Sequence, residues 1–510
     1  MKLKNLFYKL SICYILCFYA ASSQAFTWTE ATIDELHQAL RSKEITCEQV
    51  VQGYLDRIEQ FDRQGPAINS LITINPLALE HARALDRQTD PQGALYCVPV
   101  VVKDNINVAD MPTTLGAIAL KDSHPPQNAS VVQNLIDQGA IVLAKTNLDE
   151  FAIAMLGLSS AGGQTRNVYI LDNGPGGSSG GSGSAVSASF AMAGLGTDTG
   201  GSIRIPAALA GLVGVRPTKA LADISGIAPL SSTQDTVGPM CRTMRDCVYM
   251  LRFTESYSTP ERQQQLLDAL DENGLQGVRI AMVSGMFPKR TPENEIYWMV
   301  IDQAIAQMRE AGATIDIIEL PEQEKILNGF VSLARYEIKE DLTRYLLSWP
   351  SDQDHHLRSY EEILQSKGYA PSTEQWLTLY NQTSDNRMAD PVYIDNTHGR
   401  QEFIRAHINQ VLNGKTRYDA LMYPTLTQLN VPIGNNTEGR KNVSLSAFSG
   451  LPAISFPAGM TQDEHPQPVA LEVLGREFDE PTLIRIVYGY ETKKPVRVAP
   501  SATPPLDFEK

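Results

Sequence analysis

The 510-residue sequence contains few cysteines: there are six, and none forms a CxxC pair or a Cys/His cluster with zinc-ligand spacing. This density is far below that of a disulfide-rich secreted scaffold, and it disfavours a structural zinc site. We therefore expect no metal. The pattern leaves open whether any of Cys47, Cys97, Cys241 and Cys247 form a disulfide.

The sequence also lacks an excess of basic residues. Asp and Glu number 58 against 43 Lys and Arg, which gives a formal net charge of −15. An acidic surface repels phosphate backbones, so we expect no nucleic-acid partner. Hydrophobic residues make up 43% of the chain, which is enough for a large buried core.

Long apolar runs are absent beyond the amino terminus. Residues 1–25 combine a basic start, an apolar stretch of about a dozen residues, and small residues at Ser23 and Ala25. This order is typical of a secretory signal peptide cleaved after Ala25, and the apolar stretch is shorter than the roughly 20 residues of a membrane-spanning helix. We expect an exported protein, periplasmic or secreted, with no membrane association after cleavage.

Apolar runs and capping signals along the rest of the chain predict an α/β fold. Capping boxes at Thr32 and Thr46 predict two amphipathic helices, and Ser130 begins another. Apolar β-rich runs predict strands at 95–102, 140–144, 278–283, 313–318, 420–423, 454–456 and 469–474. We expect one catalytic domain over 26–494 with a helical insertion near 284–400, followed by an extended or disordered tail over 495–510.

The stretch 174–206 is rich in glycine and serine, and its continuation into small apolar residues argues against a flexible linker. We expect residues 185–195 to form a buried helix. Neither GxxxxGK[ST] nor GxGxxG occurs here, so no nucleotide cofactor is indicated. Ser178 fits the GxSxG pattern of an α/β-hydrolase-like esterase, with Ser182 as a competitor. That alternative requires a Ser-His-Asp triad, and histidines do follow at 355, 356, 398, 407 and 465.

Ser202 is the better candidate nucleophile on physical grounds. Because Gly200 and Gly201 lack side chains, a carbonyl can approach Ser202, and successive backbone N–H groups can form an oxyanion hole. A serine hydroxyl also needs a base. Lys103 ends the apolar run VPVVV, where burial would favour the neutral amine that a base must be.

Four blocks in this order resemble the amidase signature family of serine hydrolases: VPVVVKDN at 98–105, GGSSGG at 176–181, GTDTGGSIRIPAALAGLVGVRPT at 196–218, and SSTQDTVGPM at 231–240. The resemblance implies a single large α/β/α sandwich whose mixed sheet is covered by helices on both faces. It also implies a Ser-cisSer-Lys triad, in which Ser202 is the nucleophile and forms the acyl-ester, Ser178 is the bridging serine, and Lys103 is the general base.

The resemblance further implies a cis peptide bond from Gly177 to Ser178 and an oxyanion hole built from the N–H groups of Thr199, Gly200, Gly201 and Ser202. Asp198 and Arg204 are expected to support that loop. The implied activity is hydrolysis of a carbon–nitrogen amide bond, with no cofactor.

The sequence is most similar to the secreted bacterial peptide amidases of that family. Peptides with a C-terminal amide, or related small amides, are therefore the expected substrates of a monomer or homodimer. An amidase-like binding protein without activity is the further alternative, although no triad residue is missing.

Overall fold

The computed structural model describes residues 26–89, 92–256, 258–349, 357–435, 439–493 and 496–509. The predicted signal peptide, His355 and His356 lie outside the described residues. Within the described part of the chain, no helix has the length and apolar character needed to cross a membrane.

An eleven-stranded mixed sheet forms the centre of the fold, in the order β1-β3-β2-β6-β8-β7-β12-β13-β11-β9-β10, beside a two-stranded β4-β5 ribbon. Strands β2, β3 and β6 are mutually parallel neighbours, as are β9, β10 and β11, while the pairs between these two groups are antiparallel. The strands are β1 Leu71–Ile74, β2 Pro99–Lys103, β3 Ile141–Thr146, β4 Leu158–Ser159, β5 Gly163–Gln164, β6 Ala193–Asp198, β7 Val213–Arg216, β8 Thr236–Cys241, β9 Arg279–Val283, β10 Thr314–Ile318, β11 Ala420–Pro424, β12 Ala453–Met460 and β13 Pro468–Leu474.

Helices connect and cover these strands. They are α1 Ile33–Arg41, α2 Cys47–Arg57, α3 Ala78–Asp86, α4 Ser130–Asp137, α5 Gly180–Ser187, α6 Arg204–Leu209, α7 Met244–Leu251, α8 Pro260–Asp268, α9 Glu295–Glu310, α10 Gln323–Asn328, α11 Ala334–Leu347, α12 Tyr360–Ser366, α13 Pro371–Asp385, α14 Pro391–His398, α15 Arg400–Leu412, α16 Ser444–Ser449 and α17 Glu480–Glu491. Every residue of β2, β3, β6, β7, β8, β11 and β13 is buried. Successive side chains of a strand point to opposite faces of the sheet, so strands that are buried at every residue must be covered on both faces. This burial confirms the predicted α/β sandwich with a mixed sheet.

Each predicted strand is present, with shifted ends. Strand β2 begins four residues later than predicted, at Pro99, because residues 94–97 turn instead and Cys97 has a φ of 61°. The capping boxes at Thr32 and Thr46 are formed, so α1 and α2 begin where the sequence indicates.

The predicted buried helix over 185–195 is wrong in its extent. Helix α5 begins earlier, inside the glycine run at Gly180, and ends at Ser187, while β6 begins at Ala193. Glycine and alanine at these positions permit close packing: a methyl group on Gly181 would lie 2.5 Å from the backbone nitrogen of Asn147.

The region of the predicted insertion contains both sheet and helices. Its first part contributes α9 and strand β10, which pairs in parallel with β9, and the helices α10 to α14 follow from Gln323. After residue 495, Arg57 and Glu509 form a buried ion pair of 2.6 Å that ties the carboxyl-terminal segment to α2.

Two disulfides close loops in the described chain. Cys47, the first residue of α2, is bonded to Cys97 ahead of β2, and Cys241, the last residue of β8, is bonded to Cys247 in α7. All four cysteines that follow the predicted signal peptide are therefore paired.

Candidate active site

Lys103 is the last residue of β2 and is fully buried. Its Nζ donates to Ser178 Oγ at 2.7 Å and to Thr197 Oγ1 at 2.9 Å. Thr197 lies in the neighbouring parallel strand β6, so the sheet itself brings the lysine to the carboxyl end of these strands. The predicted base and the predicted bridging serine are thus in direct contact.

Ser178 lies in the glycine-rich loop that leads into α5, and its side chain is completely buried. The peptide bond from Gly177 to Ser178 is cis, as the family resemblance predicts. The next residue, Ser179, donates its N–H to the carbonyl oxygen of Ser202 at 3.2 Å, which joins this loop to the loop that carries the candidate nucleophile.

Ser202 lies between the end of β6 and the start of α6 and is 5% exposed. A side chain built on nearby Gly200 would meet no described heavy atom within 4 Å, so this loop borders open space. The backbone N–H groups of Thr199, Gly200 and Ser202 have no hydrogen-bond partner in the described parts of the chain. Three of the four predicted oxyanion donors are therefore available.

The fourth predicted donor, Gly201, is occupied. Its N–H donates to Asp198 Oδ1 at 2.8 Å, because the loop folds back over the carboxylate at the end of β6. In this structure the Gly201 N–H is therefore not free to contribute to the predicted oxyanion hole. Glycine is still required there, since its φ is 109° and a Cβ would lie 2.5 Å from Val443 Cγ2.

Asp198 supports this loop through a buried ion cluster. Its carboxylate pairs with Arg204 at 3.0 Å and with Arg216 at 2.9 Å, and Arg204 also pairs with Glu472 at 2.5 Å. Burial acts to raise the pKa of Asp198, but the two guanidinium groups outweigh it and hold that pKa well below its usual range. Asp198 and Arg204 thus occupy the supporting positions expected for them.

Lys103 has the electrostatics of a neutral amine. Burial lowers its pKa to about 7, and the charges of Asp149, Asp235 and Asp198 offset only part of that effect. Burial also raises the pKa of Asp149 to about 7, against the effect of its backbone N–H bonds from Leu156 and Gly157 and of the Lys103 charge. A lysine whose pKa is about 7 is neutral in a substantial fraction of molecules at that pH, and the neutral amine can accept a proton from a serine.

The competing serine Ser182 and the described histidines of the alternative triad form other hydrogen bonds or are exposed. Ser182 Oγ is hydrogen-bonded in the core, to Thr146 Oγ1 at 2.7 Å and to Leu195 O at 3.1 Å. His398 and His407 bond to carbonyl groups of their own helices, and His465 is exposed. Among the described residues, no histidine forms a hydrogen bond with Ser178, Ser182 or Ser202.

Several contributing residues were not predicted. Thr197 Oγ1 accepts hydrogen bonds from Lys103 Nζ and, at 3.2 Å, from Asn105 Nδ2. Thr197 and Asn105 lie inside the sequence blocks that carry the family resemblance, yet no role was predicted for them. Gln234 Nε2 donates to Thr199 O at 2.9 Å, and Asp235 Oδ1 accepts from Thr199 Oγ1 at 2.5 Å. The polar residues 231–235 ahead of β8 could have indicated Gln234 and Asp235, because buried amides and carboxylates require hydrogen-bond partners.

Comparison with known proteins shows extensive similarity. The amidase family model matches residues 49–484. A glutamyl-tRNA(Gln) amidotransferase subunit of Thermoanaerobacter pseudethanolicus is 30% identical over 92% of this chain and 98% of its own length. The corresponding protein of Methanosarcina acetivorans is 31% identical over 90% of this chain and 97% of its own.

Solved structures extend this similarity to the fold. The native peptide amidase of Stenotrophomonas maltophilia superposes with a TM-score of 0.81 at 33% identity, over 93% of this chain and 99% of its own. An amidase family protein of Bacillus anthracis gives a TM-score of 0.79 at 30% identity, over 92% of each chain. The chain therefore belongs to the amidase signature family and is a hydrolase that acts on amides.

Proposed function

We propose that the protein hydrolyses amides through an acyl-enzyme on Ser202, with Ser178 as bridging serine and Lys103 as general base. The observation that carries this proposal is the buried 2.7 Å hydrogen bond between Lys103 Nζ and Ser178 Oγ. The loop of Ser178 is joined to the loop of Ser202 by the hydrogen bond from Ser179 N–H to Ser202 O. A serine, a hydroxyl relay and a neutral amine are the groups that acyl transfer requires.

In the acylation step, Ser202 Oγ attacks the amide carbon as its proton passes to Ser178, whose own proton passes to Lys103. The negative charge that develops on the carbonyl oxygen is stabilised by the N–H groups of Thr199, Gly200 and Ser202. Lys103 and Ser178 then return the proton to the departing nitrogen, so that the C–N bond breaks with release of ammonia or an amine. Water, activated by the same relay, hydrolyses the ester and frees Ser202.

We further propose peptides with a C-terminal amide, or related small amides, as substrates. Similarity to the Stenotrophomonas maltophilia peptide amidase supports this choice. The net charge of −15 argues against a tRNA-bound substrate, because an acidic surface repels a phosphate backbone.

The protein is also proposed to be exported after cleavage at Ala25 and to act in the periplasm or medium as a monomer or homodimer. The two disulfides support export, since disulfides persist in oxidising compartments. Amino-terminal sequencing of protein recovered from the periplasm or medium tests the cleavage site. A chain that still carries residues 1–25 there would contradict it.

The activity is tested by measuring ammonia release from peptide amides, free amino-acid amides, fatty amides and aryl amides. We expect the fastest release from peptide amides and none from the Ser202→Ala variant, whose circular dichroism spectrum should match that of the wild type. Undiminished release by Ser202→Ala would contradict the proposed nucleophile. Faster turnover of fatty or aryl amides would contradict the proposed substrate.

A further inference from the structure

Asp149 is a buried carboxylate whose two oxygens have different surroundings. Oδ1 accepts the backbone N–H groups of Leu156 at 2.7 Å and Gly157 at 2.9 Å. Oδ2 is buried and has no hydrogen-bond partner in the described chain. A buried oxygen without a partner is costly when it is charged, so this carboxyl group favours a bound proton.

The unpartnered oxygen faces the catalytic loop. A methyl group added to Gly177 would overlap Asp149 Oδ2, which places that oxygen directly against the residue before Ser178. The N–H of Asp149 also donates to the carbonyl oxygen of Ser178 at 3.3 Å. Asp149 therefore contacts both Gly177 and Ser178, and the hydroxyl of Ser178 is the one that binds Lys103.

Three carboxylates act on the charge of Lys103, and they differ in their partners. Asp198 is neutralised by Arg204 and Arg216. Asp235 accepts the hydroxyl of Thr199 at one oxygen and the N–H groups of Leu230 and Ser231 at the other.

Asp149 differs from both in having one oxygen without a partner in the described residues. Lys103 is the charged group that acts on it. Of the three carboxylates, Asp149 is thus the one placed to exchange a proton near neutral pH.

We propose that Asp149 is a positioning residue for the reaction: it lies against Gly177, shares one proton with Lys103, and so determines whether that lysine is neutral. The proposal rests on the proposed role of Lys103 as the base. A buried pair with one proton has no net charge whichever group carries it, which avoids an isolated buried ion. The productive arrangement has the proton on Asp149 and a neutral Lys103.

The test uses the rate at which a fluorophosphonate labels Ser202, measured against pH, because this reagent requires the activated serine and no knowledge of the natural substrate. Asp149→Asn keeps an acceptor for Leu156 and Gly157 but removes the ionisable group. Without that negative charge Lys103 loses its proton more readily. We expect the acid limb of labelling to move to lower pH by roughly one unit.

Asp246→Asn is the matched control. Asp246 is also buried, with Oδ1 accepting the N–H of Ile33 at 3.1 Å and Oδ2 unpartnered in the described chain, and the charges that act on it are Arg242 and Asp34 instead of Lys103. We expect its acid limb to coincide with that of the wild type. Asp149→Ser, which removes the same charge with a smaller side chain, is expected to shift the limb in the same direction and serves if the asparagine variant does not fold.

The outcomes separate this proposal from the one on which it rests. If Asp149→Asn or Asp149→Ser is labelled with the same acid limb in its pH profile as the wild type, the role of Asp149 is overturned and the proposed function stays intact. A wild-type rate of labelling in Ser202→Ala would contradict the proposed function, and this inference with it.

Discussion

The amine of Lys103 lies 2.7 Å from the hydroxyl of Ser178 although 75 residues separate them in sequence. Both hydrogen bonds that this amine makes within the described chain go to hydroxyl oxygens. The other fully buried lysine of the described residues, Lys145, instead pairs with Asp104 at 2.8 Å. Two buried lysines on adjacent strands thus have different partners: one is held in an ion pair, and the other among hydroxyls, as a base requires.

The first prediction concerns the pH dependence of amide hydrolysis. Because burial lowers the pKa of Lys103 to about 7, the base is protonated and inactive at lower pH. We expect kcat/KM to rise with pH through a limb near 7, and Lys103→Met to lose nearly all activity. A limb close to the ordinary pKa of lysine, or a profile without an acid limb, would contradict this assignment.

The second prediction uses two glycines of the same loop. A methyl group on Gly177 would overlap Asp149 Oδ2 and lie 2.8 Å from Met155 Cα, whereas one on Gly174 would meet no described heavy atom within 4 Å. We expect Gly177→Ala to displace Ser178 and lose most of the activity, with Gly174→Ala close to the wild type. Ammonia release by the two variants, purified in parallel, measures the difference, and equal activities would argue against this packing.

The third prediction concerns the buried ion cluster of Asp198, Arg204 and Arg216, next to the loop that carries Ser202. Asp198→Asn leaves the buried Arg204 and Arg216 without their shared carboxylate. Removing one partner of a buried ion pair costs about 3 to 5 kcal/mol, which urea unfolding would measure as a lower free energy of unfolding. The control is Asp302→Asn, which breaks the exposed pair with Arg290 and should change stability little. A similar stability for the two variants would show that the cluster is not the support described here.

The sequence indicates the two ends of the proposed relay more readily than the residues around it. Lys103 follows an apolar run, and Ser202 follows two glycines, so local pattern and elementary chemistry indicate both. Asp149 shows no such pattern, because the role proposed for it depends on contact with Gly177, 28 residues further along the chain. The occupied N–H of Gly201 likewise depends on where the Asp198 carboxylate lies in three dimensions.

Strands were predicted where apolar runs occur and missed where they do not. The β6 sequence AGLGTD has too few apolar side chains to indicate a buried strand, yet all six of its residues are buried. Its small side chains allow close contact: a methyl group on Gly196 would lie 2.9 Å from Ser179 Oγ. The residues of β6 are buried by side chains from other parts of the chain, and a local sequence pattern does not show such contacts.

The last prediction compares the two disulfides. The Cys47–Cys97 bond closes a loop of 50 residues and the Cys241–Cys247 bond a loop of six. By the loop-entropy relation the longer loop stabilises the fold by about 4 kcal/mol and the shorter by about 2 kcal/mol. All four side chains are fully buried, so replacing either pair by alanines creates comparable cavities. We expect Cys47→Ala/Cys97→Ala to lower the free energy of unfolding more than Cys241→Ala/Cys247→Ala, as measured in urea. Equal losses would mean that loop closure does not set the stabilisation.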